Sequence, residues 1–207
     1  RVGREKRRAY RNDTYWARPV PGFGDPAARI VLLGLAPAAH GANRTGRMFT
    51  GDGEGGSGDF LMAALQRAGF SNRSTSNRID DGLTLRDVFI TAAVRCAPPD
   101  NKPTRDELAA CLPHLDAELA ALPNVRVVVA LGAIGFDACL RLLASRGNAV
   151  RPRPAFAHGG VVSLPNGWTL VGSYHPSRQN TNTGRLTPPM MDDVFRTAAR
   201  ALDAPAP

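Results

Sequence analysis

The chain has 207 residues, enough for one domain with a sizeable core, and its 43% hydrophobic and 21% charged content is that of an ordinary globular protein. The longest apolar run, Val127 to Phe136, is too short to span a bilayer, and no charged-then-apolar leader opens the chain, so neither membrane insertion nor secretion is expected. The 3 cysteines fit no disulfide framework and point to a reducing, cytoplasmic setting, while a formal charge of +8 favours a polyanionic partner.

Much of that charge falls early, in Arg1, Arg4, Lys6, Arg7, Arg8 and Arg11. This run reads equally as a solvated terminus or as an arm for phosphates, and charge alone does not decide. The first strand is expected over Arg29 to Leu35, followed by a helix whose apolar face is Phe60, Leu61, Ala64, Leu65 and Ala68, with Gly69 as its stop. A second strand is expected over Asp87 to Val94. Thr104 with Glu107 forms a capping box for the stripe Leu108, Cys111, Leu112, Leu115, Leu119 and Leu122, and Pro113 is expected to kink or divide that helix. A third strand, Val125 to Leu131, precedes a helix marked by Phe136, Cys139, Leu140 and Leu143. The Pro- and Gly-rich stretch from Arg146 to Gly160 is a long connection. A fourth strand covers Trp168 to Tyr174, and Thr187 with Pro188 and Pro189 opens the last helix. Strands alternating with helices make a doubly wound α/β domain with a four-stranded parallel sheet.

In such a sheet ligands bind beyond the carboxyl ends of the strands. The unusual residues fall there: Gly34 to Asp52, Arg95 to Lys102, and His175 to Thr187. These loops offer a carboxylate in a tight turn (Asp52), a ring (Phe49), an amide (Asn101) and imidazoles (His40, His175), with arginines around them. No Walker lysine pattern or metal-spaced histidine pair is present, and Gly55 to Asp59 misses the nucleophile elbow because Asp59 stands where a glycine belongs. A ring, amides and a carboxylate under arginines suit a flipped base.

At these loops the chain resembles the family 5 (type B) uracil-DNA glycosylases. The match runs from Lys6-Arg7-Arg8-Ala9-Tyr10 and Arg18 to Gly24 through to Thr187, and the strings Gly34 to Asp52 and Ser173 to Thr187 carry most of its specificity. The resemblance implies a three-layer α/β/α domain spanning residues 1–207 and excision of uracil by hydrolysis of its N-glycosidic bond. It implies double-stranded DNA as partner and a monomer as the working unit. By resemblance Asp52 positions or polarises the attacking water, Asn101 assists it, and His175 faces the uracil O2. Phe49 stacks on the base, with Gly34, Ala36, His40 and Ala92 lining its pocket. Arg44, Arg47, Ser177, Arg178, Gln179, Asn180 and Arg185 are expected on the DNA. Plainer alternatives stand beside each: a turn aspartate, a turn asparagine, a structural histidine and a core phenylalanine.

Ala92 replaces an asparagine that reads the uracil edge in stricter branches, which broadens the expected substrates to hypoxanthine and ethenocytosine. Gln179 stands where some relatives carry an apolar wedge. The resemblance also implies a 4Fe–4S cluster held by four cysteines. Cys96 and Cys111 match one pair, and the other pair is expected in a segment ahead of Arg1. Cys111 reads otherwise as a helix-face thiol, and Cys139 reads as packing. Only Lys102 among the site loops is a lysine, so no lyase step is expected. The competing readings are a non-catalytic or covalent uracil-DNA-binding protein and, more weakly, a nucleoside hydrolase.

Overall fold

A computed structural model describes residues 4–203, so Arg1 of the basic run lies outside the described residues. In chain order the elements are β1 (Phe23–Gly24), β2 (Ile30–Gly34), α1 (Ala42–Thr45), α2 (Ser57–Arg67), β3 (Val88–Ala92), α3 (Arg105–Ala120), β4 (Val127–Leu131), α4 (Ala133–Ser145), β5 (Val161–Ser163), β6 (Thr169–Ser173), α5 (Arg178–Asn182) and α6 (Pro188–Asp203), with 3₁₀ turns at Arg8–Tyr10 and Pro99–Asn101. The sheet has six strands in the order β1-β3-β2-β4-β6-β5. The four expected strands are its parallel centre, in register Ile30 to Val88, Ile30 to Val127 and Val127 to Thr169.

The count of four is therefore corrected to six. The two additions are antiparallel edges, β1 on β3 and β5 on β6. They escaped a reading based on apolar runs because β1 is two residues long and β5 alternates between exposed and half-buried positions. Neither buries a continuous face.

Every residue of β2 and β4 is buried, as expected of strands covered on both sides. Alternate residues feed two cores. Ile30, Leu32, Val127 and Val129 pack with Leu61 and Leu65 of α2 and Val194 and Phe195 of α6. Val31, Leu33, Val128 and Ala130 pack with Leu115 and Leu119 of α3 and Phe136 and Leu143 of α4. Three layers result, and crossovers from β2 and β4 leave to opposite faces. That divergence opens a crevice at the carboxyl ends of these two strands, the switch point of the sheet.

The capping box of α3 forms in full, Glu107 N–H to Thr104 Oγ1 at 3.1 Å and Thr104 N–H to Glu107 Oε2 at 2.7 Å. Pro113 does not divide the helix. Its ring lies on the exposed side, so the carbonyl it leaves without a donor can bond water.

Candidate active site

The loop after β2 builds the crevice. Gly34 ends the strand without a side chain, and Phe49 lies over it: a Cβ there would meet the ring at 3.5 Å. Phe49 sits at φ 50°, a left-handed conformation costing on the order of 1–3 kcal/mol in a non-glycine residue. Its surroundings enforce it. Gly58 of α2 packs so closely on the Phe49 carbonyl that a Cβ would come within 2.2 Å. On the other side Arg47 holds the turn, donating to Thr50 Oγ1 at 2.9 Å and Ser76 Oγ at 3.0 Å.

Asp52 follows at the N-terminal end of α2. Its carboxylate lies against Gly41, where a Cβ would fall 1.7 Å from Oδ1, and Gly56 makes room for its Cβ. Burial pushes the Asp52 pKa up to about 6, against the lowering effects of Arg178, of the Gly58 N–H and of Arg44. His175 leaves the end of β6, and burial alone pushes its pKa down to about 4. The imidazole is therefore neutral at pH 7. Its ring faces that of Phe49 at 5.7 Å and 27°.

One pocket brings Gly34, Ala36, Phe49, Asp52, Ala92 and His175 together, along with Ala38, Met48 and Ser57. A second chamber shares Asp52 and Ala38 with it and is walled by Arg7, Tyr10, Ala39, His40, Gly41 and Asn101. Asp52 is thus the partition between a ring-walled pocket and a polar one. Asn101 reaches the chamber from the loop after β3, where Asp100 and Asn101 both take left-handed backbone conformations, φ 53° and 55°.

The arrangement corrects three expectations. His40 belongs to the outer chamber rather than to the base pocket, because its Nδ1 is drawn to Tyr15 Oη at 2.8 Å. Arg47 is 5% exposed and pairs with Asp81 at 2.7 Å, so it braces the turn and cannot reach DNA. Burial raises the Asp81 pKa, yet the Arg47 guanidinium and the backbone N–H groups of Arg78, Leu83 and Asn77 outweigh it and hold that carboxyl well below its usual range. Arg44 also turns inward. It donates to His40 O at 2.9 Å, Gly51 O at 2.8 Å and Asp13 Oδ2 at 2.8 Å, and lies over the Tyr10 ring.

Around the rim, Arg178 is exposed and donates to the carbonyls of Asp52 and Glu54 at 3.2 and 3.0 Å, tying the glycine-rich Gly53–Gly56 turn to α5. Asn180 donates to His175 O at 2.8 Å and so steadies the histidine backbone. Ser177 caps α5 by position without a side-chain bond, Gln179 is exposed, and Arg185 lies over the Tyr174 ring. Tyr10, Tyr15 and Ser57 were not among the expected site residues. Tyr10 and Tyr15 precede the first strand, where no periodicity says which loop they will touch.

Cys96 is exposed and Cys111 half-buried. Burial, then the neighbouring Cys111 and Glu107, raises the Cys96 pKa, so Cys96 and Cys111 are close in the fold. Cys139 is buried in the core with its pKa pushed up to about 12, an inert packing thiol. No group of three or more metal-binding side chains converges among the described residues. No described helix is long and apolar enough to cross a membrane.

A pocket at the switch point of a doubly wound sheet, walled by a ring, a neutral imidazole and a carboxylate, is where an α/β protein of this class binds its ligand. The chain belongs to the uracil DNA glycosylase superfamily, whose profile matches residues 21–199. It is 56% identical over 199 residues to a type-5 uracil-DNA glycosylase of Thermus thermophilus, covering 96% of this chain and 86% of that one. To a type-5 uracil-DNA glycosylase of Mycobacterium tuberculosis it is 53% identical over 196 residues, 94% of this chain and 71% of the relative. A solution NMR structure of a Methanosarcina acetivorans protein shares the fold with TM-score 0.52 at 13% identity, covering 89% of this chain and 98% of that one.

Proposed function

We propose that this chain acts on double-stranded DNA as a monofunctional glycosylase, a monomer that extrudes uracil and hydrolyses its N-glycosidic bond. The observation that carries the reading is the single pocket walled by both Asp52 and His175, with Phe49 between the strand end and the base position. As the C1′–N1 bond breaks, its electron pair moves onto the base and charge develops at O2. A neutral imidazole with an N–H donor there stabilises charge that the ground state lacks, so it lowers the barrier rather than tightening binding. The sugar becomes cationic at the same moment. Ionised Asp52 offsets that charge and accepts a proton from the water whose oxygen bonds C1′, while Asn101, on the same chamber wall, holds the water. Asp52 with its pKa near 6 is ionised at pH 7 and is a stronger base than an ordinary carboxylate.

Hypoxanthine and ethenocytosine are proposed as further substrates. Ala92 is 2% exposed and lines the pocket without a polar group, so no unmatched hydrogen bond rejects a base with a different edge. Cys96 and Cys111 are proposed to hold one half of a four-thiolate 4Fe–4S cluster, which when bound would cross-link the loop after β3 to α3. No step of the hydrolysis runs through it.

The test is a labelled uracil-containing duplex incubated with the wild type, Asp52→Ala and His175→Ala and then treated with alkali. Cleavage by the wild type alone, with binding retained by both variants, is expected. Tight binding by the wild type without cleavage would replace the enzyme by a lesion-binding protein. Wild type that clears uracil yet leaves hypoxanthine duplexes intact would remove the broader specificity.

A further inference from the structure

The chamber outside Asp52 holds more donors than one water needs. Arg7 is exposed on its wall and donates to no protein group among the described residues. Tyr10 stacks beside His40 with ring centres 6.3 Å apart. Tyr15 is buried, which holds its phenol protonated, and its hydroxyl shares a 2.8 Å hydrogen bond with His40 Nδ1, its one side-chain partner among the described residues. Burial and then the charges of Arg7 and Arg44 keep the imidazole neutral. A neutral ring that accepts at Nδ1 carries its proton on Nε2. With the Tyr15 phenol as donor, His40 offers the chamber an Nε2–H, beside a guanidinium, a phenol and the Asn101 amide. The one carboxylate on the wall is Asp52, at the edge shared with the base pocket.

We propose that Arg7, Tyr10 and His40 clamp a backbone phosphate of the extruded deoxynucleotide, with Tyr15 setting the donor on His40. The inference rests on the glycosylase reading of the neighbouring pocket. A nucleotide is laid out as base, sugar and phosphate. With the base in the ring-walled pocket and the cationic sugar at Asp52, the next group along the strand is the anion, and the next cavity is the donor-rich chamber. A guanidinium paired to no carboxylate among the described residues matches a diester monoanion. Arg7, Tyr10 and His40 are positioning residues in this scheme. Holding the phosphate fixes C1′ between the leaving base and the incoming water, so the clamp acts on kcat as well as KM.

The experiment uses uracil duplexes in which the phosphate on one or the other side of the uridine is replaced by a neutral methylphosphonate. The wild type is expected to lose about ten- to hundredfold in kcat/KM on one of the two. Arg7→Ala and His40→Ala should lose a similar factor on the natural duplex and then be indifferent, within about twofold, to that same methylphosphonate. Tyr15→Phe should move the same way by less, and His40→Gln, which keeps an N–H, should recover part of the loss. Because Arg7 is exposed, its variant tests the clamp even if the histidine variant folds poorly. Losses that multiply instead of saturating, or a wild type indifferent to both replacements, overturn the clamp while leaving the glycosylase intact. A wild type that leaves uracil in the natural duplex overturns the glycosylase reading itself.

Discussion

The base pocket takes its walls from Gly34, Ala36, Phe49, Ala92 and His175, whereas the chamber across Asp52 is walled by Arg7, Tyr10, His40 and Asn101. Both hold a histidine of lowered pKa, but by different means. His175 is kept neutral by burial alone, while His40 is kept neutral by burial together with Arg7 and Arg44. Desolvation alone acts on the first, whereas positive charge from two arginines adds to it at the second. Asp52 belongs to both. Its pKa near 6 records the desolvation that wins over Arg178 and the Gly58 N–H. The lesson is that a carboxylate becomes a better base when burial outweighs the cations and N–H groups beside it.

That contrast can be broken most sharply at Asp52 and His175. Asp52→Ala should lower the single-turnover rate of base release by about 10²–10⁴-fold and His175→Ala by about 10²–10³-fold, each with the fold retained. Gly41→Ala is a subtler way to remove the partition. Its new Cβ would fall 1.7 Å from Asp52 Oδ1, so the carboxylate must swing aside, and on the order of 10²-fold in kcat is expected to go with little change in thermal unfolding.

Arg47 tests whether inward and outward arginines differ in kind. Removing it leaves Asp81 buried without its cation, at side-chain exposures of 6% and 11%, and should cost about 3–5 kcal/mol in denaturant unfolding. The salt dependence of DNA binding should stay as in the wild type.

Asp52→Asn should stabilise the protein. A folded pKa raised above the unfolded value of 3.8 means the native state carries an unfavourable charge above pH 6, a penalty of about 3 kcal/mol by the size of the shift. That penalty fades as the pH falls from about 6 toward the unfolded value. The variant should therefore unfold at higher temperature than the wild type at pH 7.5, and at nearly the same temperature near pH 4. A stabilisation that persisted unchanged at the lower pH would remove the buried charge from the account.

The smallest effect is the pH profile. kcat/KM should fall about tenfold per pH unit below about 6 as Asp52 takes up a proton, since the free enzyme's base must be ionised. His175, with its pKa near 4, adds no inflection above that. An inflection near 4 alone would mean that Asp52 titrates as an ordinary carboxylate, and would remove its burial from the account.

Much of the fold could be read from residue order because the central strands are buried on both faces. Val127 to Leu131 and Ile30 to Gly34 have no exposed position, so apolar runs marked them. The capping box at Thr104 and the Pro188 start of α6 were equally local. The edges β1 and β5 were not, because edge strands pair on one side only and need no apolar run. Within the site, Asp52, Phe49 and His175 were placed on one rim by the strands they follow, His175 just past β6 and Phe49 and Asp52 in the long stretch after β2. Arg44, Arg47 and His40 were misplaced because the direction of a long or ring side chain depends on partners far along the chain. Asp81 lies 34 residues from Arg47, and Tyr15 lies 25 from His40.

Order along the chain by itself determined the four central strands and the long helices, that three polar loops share one rim, and which chemistries those loops contain. It could do so because period and capping are short-range properties. Only the tertiary structure decided that Asp52 divides two cavities, that burial and not a partner charge lowers the His175 pKa, and that Tyr15 reaches His40 Nδ1. Those outcomes depend on which groups exclude water from one another, and that is set by contacts between residues distant in sequence.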